Sequence, residues 1–363
     1  MTPQVGTMAP QVPRDSTTPA RVRELLSVIA ADSMEGRAVW SAGSDRAAKY
    51  IAAQMAAAGL VPGGDSGYFQ RIAGAARTVI RVRQERRADS TGRMIRVPVV
   101  VNGDTVRDTV QVTQRLSSFR DWDSIPAARR RLAVNVIGLL PGKNEKHLAD
   151  SVVLVDAHYD HIGRTGVAGG CTPRGADSIC NGADDDASGT VAVLEIARIL
   201  KNRPRAERTI VFAATTGEES GLVGTNWYLE HPVRPLAAMS SNLEIEMIGR
   251  PDSLAGPPGY AWLTGFERST MGESFAAAGL HISPDRRPQQ SFFTRSDNIA
   301  FARRGIPAHT LSSFNLHTDY HQATDDVAKV DFAHMAAVIN AGAKAVEILA
   351  NGTAPQWKPG GRP

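Results

Sequence analysis

From Ala133 onward, short apolar runs that read as strands alternate with longer stretches of helical periodicity. Strands are expected at 134–139, 152–157, 208–215, 241–247, 260–264 and 307–312, and helices at 187–202, 219–230, 267–278 and 331–350. Alternation of this kind predicts an α/β fold, a mostly parallel mixed sheet with helices on both faces. It also dictates where chemistry can gather, because ligands of open α/β sheets bind beyond the carboxyl ends of the strands.

Those ends carry titratable groups. The run "VVLV" at 152–155 leads straight into Asp156, His158, Asp160 and His161. The strand at 208–215 is followed by Glu218 and Glu219, and Glu246 ends the strand at 241–247. "NGADDDASG" holds Asp184, Asp185 and Asp186 just before a helix, and "HTDYHQATDD" supplies His317, Tyr320 and His321. Carboxylates crowded at one sheet edge repel each other unless cations hold them. Mixed histidine and carboxylate donors suit zinc, and two zinc ions roughly 3.5–4 Å apart form a known catalytic arrangement.

Outside this region the sequence is less directive. Residues 1–18, rich in Pro, Thr and Gln, read as a disordered leader without a visible secretion signal, and 351–363 as a flexible tail. Two helices are expected between Pro19 and Gly59, with Ser44 able to cap the second. Residues 77–130 alternate apolar and polar and contain Asn102-Gly103, a hairpin turn signal, so they read as a small β-rich insertion. No run of 18 apolar residues is present, which predicts no membrane span. Basic residues concentrate at 81–87 and 128–131, but the net charge is only +4 and no nucleic-acid motif accompanies them, so no nucleic-acid partner is expected. Cys171 and Cys180 share one glycine-rich loop, where they form a local disulfide or remain two free thiols according to the compartment.

The segments "DSMEGRAVWSAGSDRAAKYIAAQM", "VNVIGLLPG", "DAHYDHIG", "DSICNGADDDASGT", "FAATTGEESGLVG", "EIEMIGR", "RSDNIAFARRGIP" and "HTDYHQATDD" resemble, in order, those of the bacterial co-catalytic di-zinc aminopeptidases. The resemblance covers 32–75 and 133–330 and implies a zinc peptidase domain over 19–350 with two Zn2+ per chain. It makes His158 and Glu246 ligands of the first zinc, Asp185 the bridging carboxylate, and Glu219 and His321 ligands of the second. Asp160 then orients His158, and Glu218 is the general base. Tyr320 stabilises the oxyanion, and Arg295 holds the substrate. Asp184 and Asp186 read as helix caps, Glu244 as a group set back from the site, and His161, His309 and His317 as supporting rather than ligating.

The implied activity is zinc-dependent exopeptidase hydrolysis of the N-terminal peptide bond, on peptides with a free N-terminus. Export to the periplasm or medium, usual among bacterial members, is implied too, and with it a Cys171–Cys180 disulfide. The family also implies a cis bond between Asp185 and Asp186. The chain departs from the family at Glu246, usually Asp, and at Asn298, often His, and its insertion is shorter than usual. Trp262, Phe292, Phe293 and Phe314 can line an apolar pocket or simply pack the core. The alternative readings are a carboxypeptidase, a dipeptidase, a single-zinc glutaminyl cyclotransferase and a non-catalytic binding ectodomain. Side-chain preference, physiological substrate and oligomeric state are not legible.

Overall fold

The computed structural model describes residues 14–88, 94–143, 152–165 and 170–363. Among the described residues the main sheet has ten strands, and the seven that frame the site are β1 (Arg130–Leu140), β2 (Val152–His158), β3 (Thr209–Thr215), β4 (Met239–Glu246), β5 (Ala261–Leu263), β6 (Ile282–Pro284) and β7 (Ala308–Ser312). They run in the order β6-β5-β7-β4-β2-β3-β1. The centre is parallel, since β2 pairs in that sense with both β3 and β4, and β4 with β7. β1 and β5 run antiparallel to their neighbours β3 and β7.

Strand periodicity explains how both faces are covered. Val153, Val155 and Ala157 of β2, with Ile210, Phe212 and Ala214 of β3, face one core. Their neighbours Val152, Leu154, Val211 and Ala213 face the other. The first core is closed by helices α1 (Pro19–Ile29), α2 (Ala42–Ala57), α3 (Gly189–Lys201) and α7 (Phe332–Asn351), through residues such as Leu25, Ile51, Ile196 and Ile339. α4 (Val223–Glu230) and α6 (Asn298–Arg303) close the second with Tyr228, Leu229, Ile299 and Phe301. α5 (Met271–Ala277) contributes Met271 and Phe275 to the first core. α7 is long and apolar enough to cross a membrane, but most of it is buried in the fold, as befits a core helix.

Local chemistry sets the helix ends. Ser41, rather than the expected Ser44, caps α2 by accepting the Ser44 N–H at 3.2 Å. Gly59 follows that helix with φ +74°, a left-handed conformation that favours glycine. Asp331 caps α7 through the N–H groups of Ala333 and His334. The helix expected at 219–230 begins only at Val223, because 218–222 form turns that present the two glutamates.

Both expected ends of the chain differ from the sequence reading where they are described. Residues 1–13 of the leader lie outside the described residues. Thr17, however, is buried, donating its N–H to Asn340 and its hydroxyl to Glu195, and Thr18 caps α1. In the C-terminal tail, the Trp357 indole N–H donates to the Gly305 carbonyl and the Lys358 N–H to that of Arg268. The apolar body of Trp357 is what holds this segment down.

Residues 72–132 form a separate compact unit, slightly wider than the expected 77–130. In it the strand Phe69–Val82 pairs antiparallel with Arg107–Arg115, from Gly74 opposite Arg115 to Val82 opposite Arg107. Asn102 and Gly103, both at positive φ, turn the hairpin between Val100–Val101 and Asp104–Thr105.

Candidate metal centre

Register brings the titratable groups together. Thr215 at the end of β3 lies beside His158 at the end of β2, and Glu244 of β4 lies beside Asp156, so Glu246 emerges two residues further along the same face. Loops following β2 and β3 carry Asp160, His161, Glu218 and Glu219. The segment Ala183–Ser188, ahead of α3, adds Asp185 through a cis Asp185–Asp186 bond, as expected. Main-chain N–H groups of Asp184 and Asp185 both donate to the Asp325 carboxylate, which ties this segment to the loop bearing His321.

Two donor sets share Asp185. His158 Nε2 lies 3.3 Å from Asp185 Oδ1 and 3.9 Å from Glu246 Oε1. His321 Nε2 lies 3.1 Å from both Asp185 Oδ2 and Glu219 Oε1, and His161 Nδ1 is 3.0 Å from that same Glu219 oxygen. His158 Nε2, His161 Nδ1, His321 Nε2 and Glu219 Oε1 are buried and have no aligned hydrogen bond. Buried polar atoms are normally satisfied, so four orphans facing one another mark a cation site. Bonds of 2.0–2.1 Å around a tetrahedral zinc separate neighbouring donors by about 3.3 Å, close to these spacings.

The electrostatics agree. Burial pushes the Glu218 carboxyl well above its ordinary range, and Glu246, Asp297 and Glu219 push it further, against the pull of His158. Burial likewise lifts Glu246 to about 7 and Glu244 to about 8. Burial pulls His321 down, but the Asp185 and Glu219 carboxylates outweigh it and raise the imidazole to about 10. Burial, then the carboxylates of Asp185, Glu219 and Glu246, raise the Tyr320 phenol, which keeps it a proton donor.

Each expected site residue has a place. Glu218, Glu246, Asp185, Tyr320 and Arg295 line one cavity with Trp262. Tyr320 stacks on the His321 ring at 3.9 Å, and the Arg295 guanidinium lies over Phe292 at 5.1 Å. Trp262 and Phe292 stack at 5.1 Å, and Phe314 meets Phe292 edge-on, so three of the four aromatics form a wall of the cavity. Phe293 instead packs against His309 and Trp357. The larger groove, beside Leu140, Leu200 and Ile210, is lined by Lys201, Arg203, Arg205 and the single carboxylate of Glu347, not by histidines and paired carboxylates.

Asp160 departs from the expected contact. His158 Nδ1 donates to the Asp160 main-chain carbonyl at 3.1 Å, while the Asp160 carboxylate is 3.7 Å from that nitrogen. The carboxylate accepts the Glu218 main-chain N–H instead. Asp186 behaves as a cap, accepting from Gly189, and it also holds Met247. Asp184 does not cap: it accepts from Gly249 and pairs with His317. Glu244 is set back, accepting from Ser296, Thr310 and Asn298.

Three contributors were not legible. His161 Nδ1 lies 3.0 Å from Glu219 Oε1 and 3.7 Å from Asp185 Oδ2, within the cluster around His321. Asp325 anchors the Asp185 segment. Arg37, fully buried, donates to the carbonyls of Tyr159, Asn181, Gly182 and Ile29, stapling the two ligand-bearing loops. A buried arginine inside "DSMEGR" was the available signal, but one chain does not reveal its burial.

Sequence and fold both have known relatives. Aminopeptidase YwaD of Bacillus subtilis is 28% identical over 226 residues, spanning 56% of this chain and 44% of the relative. The chain thus matches less than half of that relative's length. A zinc aminopeptidase structure from Bacillus subtilis superposes with a TM-score of 0.61 at 16% identity, over 95% of this chain and 97% of that one. Porphyromonas gingivalis glutaminyl cyclase shares the fold, with a TM-score of 0.55 at 13% identity over 92% and 98%. Residues 135–346, which carry every donor described above, match the sequence pattern of Peptidase family M28, and the chain belongs to that family.

Proposed function

We propose that this chain is a zinc-dependent exopeptidase that hydrolyses the N-terminal peptide bond of peptides. One observation carries the reading: two donor sets share Asp185, and Glu218 lies beside both without belonging to either. His158, Asp185 and Glu246 would hold one zinc, and Asp185, Glu219 and His321 the other. Bound zinc supplies Lewis acidity toward a carbonyl and lowers the pKa of water.

The chain's own groups do the rest. Glu218 lines the cavity and, in a site kept electropositive by cations, takes a proton from the attacking water and returns it to the leaving amine. Tyr320 donates its phenolic proton toward the developing oxyanion. Arg295 and the aromatic wall hold the substrate side chain. The free amine of the substrate, as a lone-pair donor, suits this electropositive site. The Cys171–Cys180 disulfide supports a location outside the cytoplasm.

The test is a panel of aminoacyl-nitroanilides beside N-blocked peptides and N-terminal glutaminyl peptides, with zinc quantified in the same sample. Two zinc ions per chain with cleavage of free-amine substrates is the expected result. One zinc with cyclisation of glutaminyl peptides would favour the cyclotransferase chemistry of the glutaminyl cyclase fold relative.

A further inference from the structure

His161 has no role in the mechanism above, yet its imidazole is buried and closely hemmed in. It follows Asp160 in the loop after β2 and is 1% exposed. Neither ring nitrogen makes a hydrogen bond among the described residues, although leaving a buried polar group unsatisfied is costly. Its ring is wedged against Gly182, where a Cβ would stand 2.5 Å from the ring carbon, and Gly182 holds φ +55°. Glycine is thus needed at 182 on two counts, and the loop before Asp185 is shaped around the His161 ring.

The supporting alternative is that His161 Nδ1–H donates to Glu219 and orients it, as groups behind a ligand do. The geometry does not favour that. Nδ1 and Glu219 Oε1 are 3.0 Å apart, a good hydrogen-bond distance, but both atoms remain without an aligned bond. They point to a common centre rather than to each other. The same centre is faced by Asp185 Oδ2, 3.7 Å from His161 Nδ1, and by His321 Nε2, 3.1 Å from both oxygens. His161 and His321 approach at 73°, with ring centroids 5.5 Å apart, as two imidazoles on adjacent corners of a tetrahedron would.

We propose that His161 is a fourth protein donor to the second metal site, closing it with two imidazoles and two carboxylates, while the first site keeps three donors and an open position. The proposal rests on the zinc reading and adds an asymmetry to it. Structural zinc sites are closed by four protein ligands, and catalytic ones leave a position for water or substrate. The site of His161, Asp185, Glu219 and His321 would therefore hold zinc tightly and fill first. The site of His158, Asp185 and Glu246 would exchange its metal more readily.

Cobalt(II) substitution tests this without an activity assay. Each imidazole bound to paramagnetic cobalt gives its own strongly shifted ring N–H resonance in the proton spectrum. The di-cobalt protein should show three, from His158, His161 and His321, and His161→Ala should lose one of them. In zinc titrations of the metal-free protein, His161→Ala should weaken one of the two sites by more than about 100-fold, beyond what loss of a merely orienting neighbour costs. Should the variant fail to fold, the wild-type count still decides. Two bound metals with only two shifted imidazoles would overturn the assignment of His161 and leave the zinc reading intact. A wild-type protein that binds no divalent metal would sink the zinc reading itself.

Discussion

Oδ1 of Asp160 accepts the main-chain N–H of Glu218 at 3.1 Å. This single bond joins the loop after β2 to the loop after β3, and it fixes the residue proposed as the base. Asp160 is thereby a positioning residue for Glu218 as well as the neighbour of His158. Asp160→Ala should lower kcat by about 100-fold, the cost of a misplacement near 1 Å, while the fold is kept. Steady-state kinetics beside thermal melting will show it; unchanged kcat would mean the bond positions nothing.

Arg37 should matter to stability rather than to chemistry. Its guanidinium satisfies carbonyls from Ile29, Tyr159, Asn181 and Gly182 in a fully buried setting, and burial lowers its pKa only to about 10, so it stays charged at neutral pH. Arg37→Ala orphans several buried acceptors at about 1–3 kcal/mol each. A loss of more than about 3 kcal/mol in urea unfolding is expected, and a loss below 1 kcal/mol would contradict this role.

His309 should make the fold acid-sensitive. It donates from Nδ1 to the Thr264 carbonyl and, as the neutral imidazole, accepts the Ser269 hydroxyl proton at Nε2, each at 2.7 Å. Burial lowers its pKa from 6.5 to about 4. Between those values the unfolded chain binds a proton that the folded chain refuses. The stability is fully present above pH 6.5 and falls as the pH drops toward 4, by roughly 3 kcal/mol in all. His309→Gln should flatten that slope in unfolding measurements at pH 4 to 7; an unchanged slope would assign the acid sensitivity elsewhere.

Cys171 and Cys180 form a disulfide that closes a nine-residue separation, and Cys171, Cys180 and Ala323 pack as one small apolar cluster beside His321. Thiol titration of unfolded, unreduced protein should find none free. The double Cys→Ser variant should lose about 2–3 kcal/mol on loop-entropy grounds. Two titratable thiols in the native protein would contradict the pairing.

The fold was legible where hydrophobic period did the work. β2 and β3 declare themselves because alternate residues feed two cores, and Asn102-Gly103 declares its turn because few residue pairs accept positive φ twice. α6 and β6 were missed because elements of six and three residues carry too little periodicity. At the site, His158, Glu219 and Glu246 were legible as strand-end groups. His161 was not, because its partners His321 and Asp185 reach it only through tertiary folding, and a histidine after a strand is otherwise unremarkable. The tail was misread for a related reason: a lone Trp357 among Pro and Gly looks unstructured until its pocket beside His309 is seen.

The central claim is the division of labour between Glu218 and Glu219, two neighbours of one residue type. Glu219 lies within 3.1 Å of His161 and His321 in a donor set, whereas Glu218 lines the cavity outside both sets. Zinc stoichiometry measured beside kcat for Glu218→Gln and Glu219→Gln tests it most directly. Glu218→Gln should keep both zinc ions and lose at least about 10²–10⁴-fold in kcat. Glu219→Gln should bind one zinc weakly and recover part of its activity with added metal. A Glu218→Gln enzyme that sheds a zinc while Glu219→Gln keeps two, or one that turns over at the wild-type rate, would contradict the account.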